Sequence, residues 1–286
     1  MVDSRSPMPD DDVRIRSAET RADYDACVAL QRAVWGLSDL EITGALQLIA
    51  AIHAGGLLQI AETAAPEPVG FAFAFPGLQG AVPYFHSDMV AVLPQFQARG
   101  VGVRLKWAQR DLALARRVAL IQWTYDPLQA RNATLNLRRL GATAPQFVPD
   151  FYGITTSALH HGLPTDRLVV RWDLNSPRVV ARAREGEPPR TVPMPRLPRV
   201  NEVKWEGGWP VARDPRLDLD APELLVEIPP DWDALCRAAP RVAAGWQQVV
   251  RRSFETYFGR GYRAVDFAPT EENGRRRPFY LLRKPA

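Results

Sequence analysis

The chain has 286 residues, of which 46% are hydrophobic and 24% are charged, and its formal net charge is +4. This composition is typical of a globular protein, and the length is sufficient for one large domain or two smaller ones. No apolar run reaches the roughly 18 residues that a membrane-spanning helix needs, and the first residues are polar and acidic. We therefore expect no membrane segment, no signal peptide and a cytoplasmic location.

Hydrophobic periodicity in the first part of the chain predicts an alternation of strands and helices. Strands are predicted at residues 13–19, 56–62, 67–77, 84–92, 118–126 and 166–174, and helices at 23–36, 40–55, 103–117 and 130–141. We interpret the element order as β-α-α-β-β-β-α-β-α-β-β, in which the strand before 166–174 has no assigned segment. This order predicts an α/β domain over residues 12–175.

Residues 176–199 are rich in arginine and proline and show no apolar periodicity. They are predicted to form a linker or an extended strap over the surface. Without the arginines of this segment the rest of the chain is close to neutral, so we do not expect a broad nucleic-acid-binding face.

The last part of the chain is predicted to be a smaller α/β subdomain with the order β-α-β-β. Its segments are a strand at 223–229, a helical stretch at 231–261 broken at Pro240, and strands at 262–268 and 277–284, all within residues 200–286.

The cysteines and histidines do not indicate a metal site. Cys27 and Cys236 lie far apart, with neither a CxxC motif nor a histidine at ligand spacing, so we predict buried thiols rather than a disulfide or structural zinc. His160 and His161 are adjacent, and in an extended segment their side chains point apart. No metal is therefore expected.

The segment QARGVG, residues 97–102, lies between the fourth predicted strand of the domain and its third helix. A helix N-terminus leaves backbone N–H groups unpaired and carries partial positive charge, which suits a diphosphate, and glycine allows a ligand to approach closely. Gln97 and Arg99 could add side-chain donors. A tight turn also needs glycine for its own geometry, so the turn alone is weak evidence.

In this context the turn resembles the R/Q-x-x-G-x-G/A signature of the GNAT superfamily of acyl-CoA-dependent N-acyltransferases, and VAVLP at 90–94 resembles the family's fourth strand. The resemblance implies a GNAT-like mixed sheet flanked by helices. It also implies that backbone amides of the turn hold the pyrophosphate of an acyl-CoA, while the preceding strand pairs with the pantetheine amides. The implied cofactor-binding residues are Val90, Ala91, Val92, Gln97, Ala98, Arg99, Gly100, Val101, Gly102, Val103 and Asn132.

Further segments resemble a bacterial branch of this superfamily that carries a C-terminal extension. These segments are WTYDPLQARNATLNLRRLGA at 123–142, DFYG at 150–153 and FGRGYRAVDF at 258–267. The extension looks like the C-terminal half of an acyltransferase fold, but no Q-x-x-G-x-G turn precedes its helix, so a second CoA site is not expected. We expect the extension to cover the acceptor pocket or to form a homodimer.

Amide formation from a thioester requires a base for the amine proton and an acid for the leaving sulfur. Many members of the family use a tyrosine as the acid, but Leu137 stands at that position here. Tyr152 and Tyr125 are the nearby hydroxyls, and we favour Tyr152.

For the base, the imidazole of His86 has a suitable unperturbed pKa, about 6.5, although a lone strand histidine can also be structural. Asp88 competes with it as base or as amine anchor. Strict alternation along the strand predicts that both side chains share a face with Val90 and Val92.

These features predict an N-acyltransferase that uses acetyl-CoA or another acyl-CoA and a primary amine of a small molecule or peptide. The alternative is a CoA-binding, catalytically inactive module that acts through a protein partner, which the leucine at the family's tyrosine position favours.

Overall fold

The computed structural model describes residues 13–153, 162–185, 188–189, 191–193 and 195–284. The chain forms two compact units, of which the first ends at Ile121 and the second begins at Gln122. His160 and His161 lie outside the described residues. No helix in the described part of the chain is long and apolar enough to cross a membrane.

The first unit is a four-stranded sheet with helices on both faces. Its elements are β1 (Val13–Ser17), α1 (Arg21–Trp35), α2 (Ala45–His53), β2 (Leu57–Thr63), β3 (Pro68–Gln79), β4 (Val82–Val92) and α3 (Val101–Ala115). The strand order is β1-β2-β3-β4, and each of the three pairings is antiparallel.

Two apolar layers hold this sheet between its helices. On one face Leu30 of α1 and Leu48 of α2 pack against Phe71 and Phe73 of β3. On the other face α3 packs, through Leu105 and its neighbours, on the small residues of β3 and on the end of β4. The helical spacing of the apolar residues therefore accounts for the placement of both layers.

The second unit is also α/β, and its strand order is β5-β7-β6-β11-β12-β10. Its elements are β5 (Leu120–Tyr125, which spans the boundary), α4 (Ala130–Ala133, continued by a π-helix at Thr134–Arg139), β6 (Thr143–Val148), β7 (Arg167–Asp173), α5 (Pro177–Glu185), β8 (Val203–Glu206), β9 (Trp209–Ala212), β10 (Glu223–Glu227), α6 (Trp232–Ala238), α7 (Pro240–Gly259), β11 (Arg263–Glu272) and β12 (Arg275–Arg283).

The structure confirms the α/β class, the order of the first eleven elements and the helix break at Pro240. Both cysteines are buried free thiols, as predicted. The prediction for residues 176–199 was wrong in its first half, because Pro177 begins the helix α5, whose Val179 is buried. Proline suits the first turn of a helix, where its missing N–H costs nothing.

The sequence interpretation also missed the hairpin formed by β8 and β9. Gly207 and Gly208 join the two strands with φ angles of 57° and 84°, which places both residues in the left-handed region. A two-residue glycine turn of this kind is a recognised hairpin signal.

Candidate active site

The turn before α3 has the backbone shape of an open helix N-terminus. Ala98 and Gly100 have φ angles of 59° and 78°, and Gly100 is the residue that precedes the first helical residue, Val101. No side chain caps the helix within the described part of the chain. The amides of Val101, Gly102 and Val103 therefore point out of the helix end with their hydrogen-bonding capacity available to a ligand.

Gly102 is not required by the fold. Its φ is not positive, and a Cβ atom added there would meet only Val92 Cγ2, at 4.0 Å. A glycine in a helix costs roughly 0.5–1 kcal/mol relative to alanine, so its presence needs another reason. Close approach of a ligand to the backbone at this position is such a reason.

The two side chains of the turn that we expected to donate to phosphate differ in their present contacts. Gln97 Nε2 donates to the carbonyl of Val92 over 2.9 Å, and so joins the turn to the end of β4. Arg99 is exposed, with its guanidinium 5.5 Å from the centre of the Phe96 ring. Arg99 can reach a ligand without breaking a hydrogen bond to the described residues, whereas Gln97 has a structural contact to keep.

A β-bulge in β4 corrects the predicted arrangement of its side chains. Met89 lies opposite Phe73 and Ser87 lies opposite Ala74, so Asp88 is an extra residue in β4. A bulge of this kind shifts the alternation of side chains by one residue. The prediction of a shared face for residues 86, 88, 90 and 92 was therefore wrong.

The bulge separates His86 from the residues at the end of β4. His86 lies opposite Phe75, on the face that carries α1 and α2, and its ring stacks on Phe75 with centroids 5.1 Å apart. Val90 and Val92 pack with the cluster on the α3 face. Bulges often re-aim side chains next to active sites, and Asp88 at this bulge is exposed.

The environment adjusts the pKa values of both candidate bases. Burial lowers the pKa of His86, and the negative charge of Asp88 opposes this shift. Surrounding protein raises the pKa of Asp88, and His86 opposes that shift. His86 is therefore neutral at pH 7, the form that can accept a proton from an amine.

A buried lysine lies next to the bulge, and the sequence analysis did not identify it as a candidate site residue. Lys106 of α3 donates to Ser87 Oγ over 2.8 Å and to Gln109 Oε1 over 3.0 Å, and burial lowers its pKa well below the usual value. The signal was present, because Lys106 and Gln109 interrupt the apolar stripe of α3. Burial thus favours the neutral form of this amine, which joins α3 to β4 at the bulge.

In the second unit, Tyr152 presents its hydroxyl at the surface. The side chain is 53% exposed, its OH lies 3.3 Å from Thr124 Oγ1, and the guanidinium of Arg167 lies 5.1 Å from the ring centre. Tyr125, the other hydroxyl, is 4% exposed, and burial raises its pKa. Tyr152 is therefore the more accessible donor of the two.

Leu137 and Asn132 lie on the helix that follows β5. Leu137, where the resemblance implies a tyrosine, is fully buried in the core of the second unit. Asn132 lies in α4 and is half-buried. In the π-helix that begins at Thr134, the amide of Leu140 donates to the carbonyl of Leu135. Such π-helical turns are rare in proteins, and those that occur are often found at functional sites.

The donor set fits part of an acyl-CoA. Outward-facing amides at the start of α3, the open space at Gly102 and the exposed Arg99 suit a pyrophosphate. No group of three or more metal-ligating side chains occurs in the described ranges.

Comparison with known proteins gave matches among solved structures only. No protein-family model and no curated protein matches the chain. One matching structure is the ribosomal-protein-S18-alanine N-acetyltransferase from Escherichia coli, with 17% identity over 57% of this chain and 95% of that chain, at a TM-score of 0.46. A GNAT family acetyltransferase from Elizabethkingia anophelis with acetyl-CoA bound matches at 17% identity over 57% of this chain and 99% of that chain, with a TM-score of 0.45.

A third match is the ribosomal-protein-alanine N-acetyltransferase from Brucella melitensis, with 19% identity over 55% of this chain and 98% of that chain, at a TM-score of 0.45. Over somewhat more than half of its length, the chain is thus similar to solved acetyltransferase structures, some of which are described as members of the GNAT family.

Proposed function

We propose that this protein is an N-acyltransferase that transfers an acyl group, with acetyl as the first candidate, from acyl-CoA to a primary amine of a small molecule or peptide. The observation that carries the proposal is the start of α3, where Gly102 leaves open space beside uncapped amides and serves no steric need of the fold. The proposed ligand contacts of Val90, Ala91 and Val92 extend this site along β4.

The proposed reaction needs two proton transfers. The amine nitrogen attacks the thioester carbonyl carbon and loses a proton to His86, with Asp88 as the competing base, and the carbon–sulfur bond then breaks. The sulfur leaves with a proton from Tyr152, and the products are an amide and CoA with a free thiol. The lowered pKa of His86 supports its role, because the imidazole is neutral at the pH where the amine must be deprotonated.

The alternative is a CoA-binding module without catalytic activity that acts through a protein partner. One observation favours it: Leu137 at the family's tyrosine position is fully buried, so the usual acid is absent. Both functions require the same acyl-CoA site, and they differ only in the chemistry.

A two-step assay tests the proposal. A thermal-shift screen of acyl-CoAs identifies the acyl chain that stabilises the protein, and a free-thiol assay then follows CoA release with pooled amines and peptides. We expect thiol release that requires protein, acyl-CoA and amine together. Stabilisation by acyl-CoA without amine-dependent thiol release would support the inactive module, and the absence of both would contradict acyl-CoA binding.

A further inference from the structure

An arginine of the second unit is buried with an unpartnered Nε atom. Arg138 lies in the π-helix after α4, and the residue is only 8% exposed. Its Nε atom is buried with no hydrogen-bond partner, and no ion pair to Arg138 occurs within the described residues. A buried N–H donor without an acceptor is costly, and an anion that reaches this guanidinium would supply the missing acceptor.

Two further arginines lie beside it on α5. Arg178 and Arg182 are one helical turn apart, so they share a face, and their Cγ atoms lie 3.3 and 3.2 Å from the position of a Cβ atom at Gly141. Gly141 lies three residues after Arg138 in the chain. The Nε atoms of Arg178 and Arg182 are also buried without partners, whereas the two Nη atoms of Arg178 donate to the carbonyls of Val265 and Leu137. The three guanidinium groups, here called the Arg138 cluster, therefore occupy one region of the second unit.

The acidic groups around the Arg138 cluster do not balance its charge. Asp266 pairs with Arg178 at 3.0 Å, and Glu185, at the rim, pairs with Arg182 at 3.3 Å. Burial lowers the pKa of Arg138, Asp266 opposes this shift, and Arg182 and Arg178 add to it. Three positive groups therefore face two carboxylates, of which Glu185 is 60% exposed and weakened by solvent.

The Arg138 cluster can be reached from solvent. The side chains of Arg178 and Arg182 are 32% and 24% exposed, whereas Arg138 is 8% exposed. The cluster thus combines one buried arginine with two that solvent reaches. Guanidinium groups recognise phosphate oxygens by paired N–H donors, and a phosphate monoester carries about 1.5 to 2 negative charges at pH 7.

We propose that Arg138, Arg178 and Arg182 form a binding site for a phosphate group in the second unit. The acyl-CoA turn belongs to the first unit, and this site does not depend on the proposed function. The phosphate can be free inorganic phosphate or the monoester of a nucleotide, and both offer the same group to the arginines.

Thermal shift and calorimetry on the full chain test the site, with inorganic phosphate as the first probe and sodium chloride at equal ionic strength as the reference. Phosphate at saturation is expected to raise the melting temperature by about 3 °C or more over chloride. Arg138→Gln should abolish the increase. Arg184→Gln is the matched control, because Arg184 is an exposed arginine on the same helix, and it should keep the increase.

Arg182→Gln provides a second test in case Arg138→Gln fails to fold, because Arg182 is partly exposed. The Arg182→Gln variant should bind phosphate about tenfold more weakly than the wild type. Adenosine 3′-monophosphate, compared with adenosine, separates the sources. Binding of the nucleotide more than about tenfold tighter than inorganic phosphate assigns the site to a monoester, and equal binding assigns it to free phosphate. The proposal would be overturned if phosphate did not stabilise the wild type. It would also be overturned if phosphate stabilised Arg138→Gln and Arg182→Gln as much as it stabilises the wild type.

Discussion

At the scale of single residues, the candidate chemistry depends on side chains whose protonation the fold adjusts. His86 and Asp88 flank Ser87 in β4; burial lowers the pKa of His86, and the surrounding protein raises the pKa of the exposed Asp88, so both shifts favour the neutral form. Burial also lowers the pKa of Lys106, whose amine donates to Ser87 Oγ. This short part of β4 is therefore suited to proton transfer near neutral pH.

His86→Ala should lower turnover by about a hundredfold near pH 7, with a smaller loss at high pH, where more of the amine is already deprotonated. Because the pKa of His86 is lowered, the acidic limb of the wild-type pH–rate profile that His86 controls should lie below about 6.5. Steady-state kinetics across pH measures both effects.

His53→Ala is the control for this variant, because His53 is exposed at the end of α2. Acyl-CoA affinity should be unchanged in both variants. An equal loss of turnover at every pH in His86→Ala would assign His86 to packing against Phe75 instead of catalysis.

Asp126 is the clearest source of pH-dependent stability in the second unit. Burial raises its pKa to about 6, although its carboxylate accepts a hydrogen bond from Leu128 N over 2.8 Å. Because the folded pKa lies above the unfolded value, the folded state binds the extra proton, and this contribution to stability is lost as the pH rises through about 6.

Asp126→Asn keeps an oxygen acceptor for Leu128 and removes the charge. It should raise the free energy of unfolding at pH 7.5 by at most about 3 kcal/mol and change it little at pH 4. Urea unfolding at the two pH values measures this. A variant that is less stable than the wild type at pH 7.5 would contradict the account.

At the scale of elements, most of the fold could be predicted because apolar periodicity reports which face of a helix or strand is buried. The bulge at Asp88 could not, since alternation assumes an uninterrupted strand, and only the adjacent polar pair Ser87–Asp88 hinted at it. Helix α5 was missed because one buried residue, Val179, gives little periodicity among arginines. The aliphatic stems of those arginines pack on Gly141 in place of apolar side chains.

For the site, the sequence identified the turn before α3 because glycine spacing there is a local feature. The contacts of Lys106 and the grouping of Arg138 with α5 depend on tertiary packing, so no local pattern predicts them. The open space at Gly102 is likewise visible only in three dimensions, since a glycine in the sequence does not reveal whether the fold requires it.

The start of α1 is fixed by a capping box that also closes an ion-pair network. Asp23 accepts from the backbone of Thr20 over 2.9 Å and from Arg16 Nη1 over 3.0 Å, and Arg16 lowers the pKa of Asp23. This lowered pKa means that the stabilisation is present at neutral pH and is lost as the pH falls through the acidic range.

Asp23→Asn should lower the free energy of unfolding by about 2 kcal/mol at pH 7, because the cap weakens and Arg16 loses a charged partner. The control is Asp25→Asn, since Asp25 is an exposed partner of Arg21 in the same helix and should cost less than about 0.5 kcal/mol. Chemical denaturation compares the two variants. Equal losses of the free energy of unfolding in Asp23→Asn and Asp25→Asn would contradict the role of the network.

At the scale of the whole molecule, residues 200–286 share a core with the segment that begins at Gln122. Phe147 of β6 contacts Phe254 and Phe258 of α7, with ring centroids 5.5 and 6.4 Å apart, and Ala144 pairs with Ala264 in the sheet. The boundary between the compact units therefore lies after Ile121, whereas the division at residues 176–199 stays a prediction about folding units.

A chain that ends after residue 175 should lose solubility, because Phe147 becomes exposed and the buried carboxylate of Asp166 loses its partner Arg251. The soluble fraction and its size-exclusion profile measure this against the full chain expressed in the same way. Any soluble product should retain acyl-CoA affinity and lose acceptor selectivity. A well-behaved fragment with unchanged activity and selectivity would show that residues 200–286 form an independent module.

The central claim is that an acyl-CoA binds at the start of α3, and calorimetric titration of acetyl-CoA into Gly102→Val tests it most directly. The valine Cβ meets only Val92 Cγ2 at 4.0 Å, so the fold should tolerate it, while the side chain fills the space that the ligand needs. Gly245→Val is the matched control, because Gly245 lies exposed in α7 with nothing within 4 Å. The account predicts that acetyl-CoA binding is lost in Gly102→Val and kept in the wild type and Gly245→Val; unchanged affinity in a folded Gly102→Val protein would contradict it.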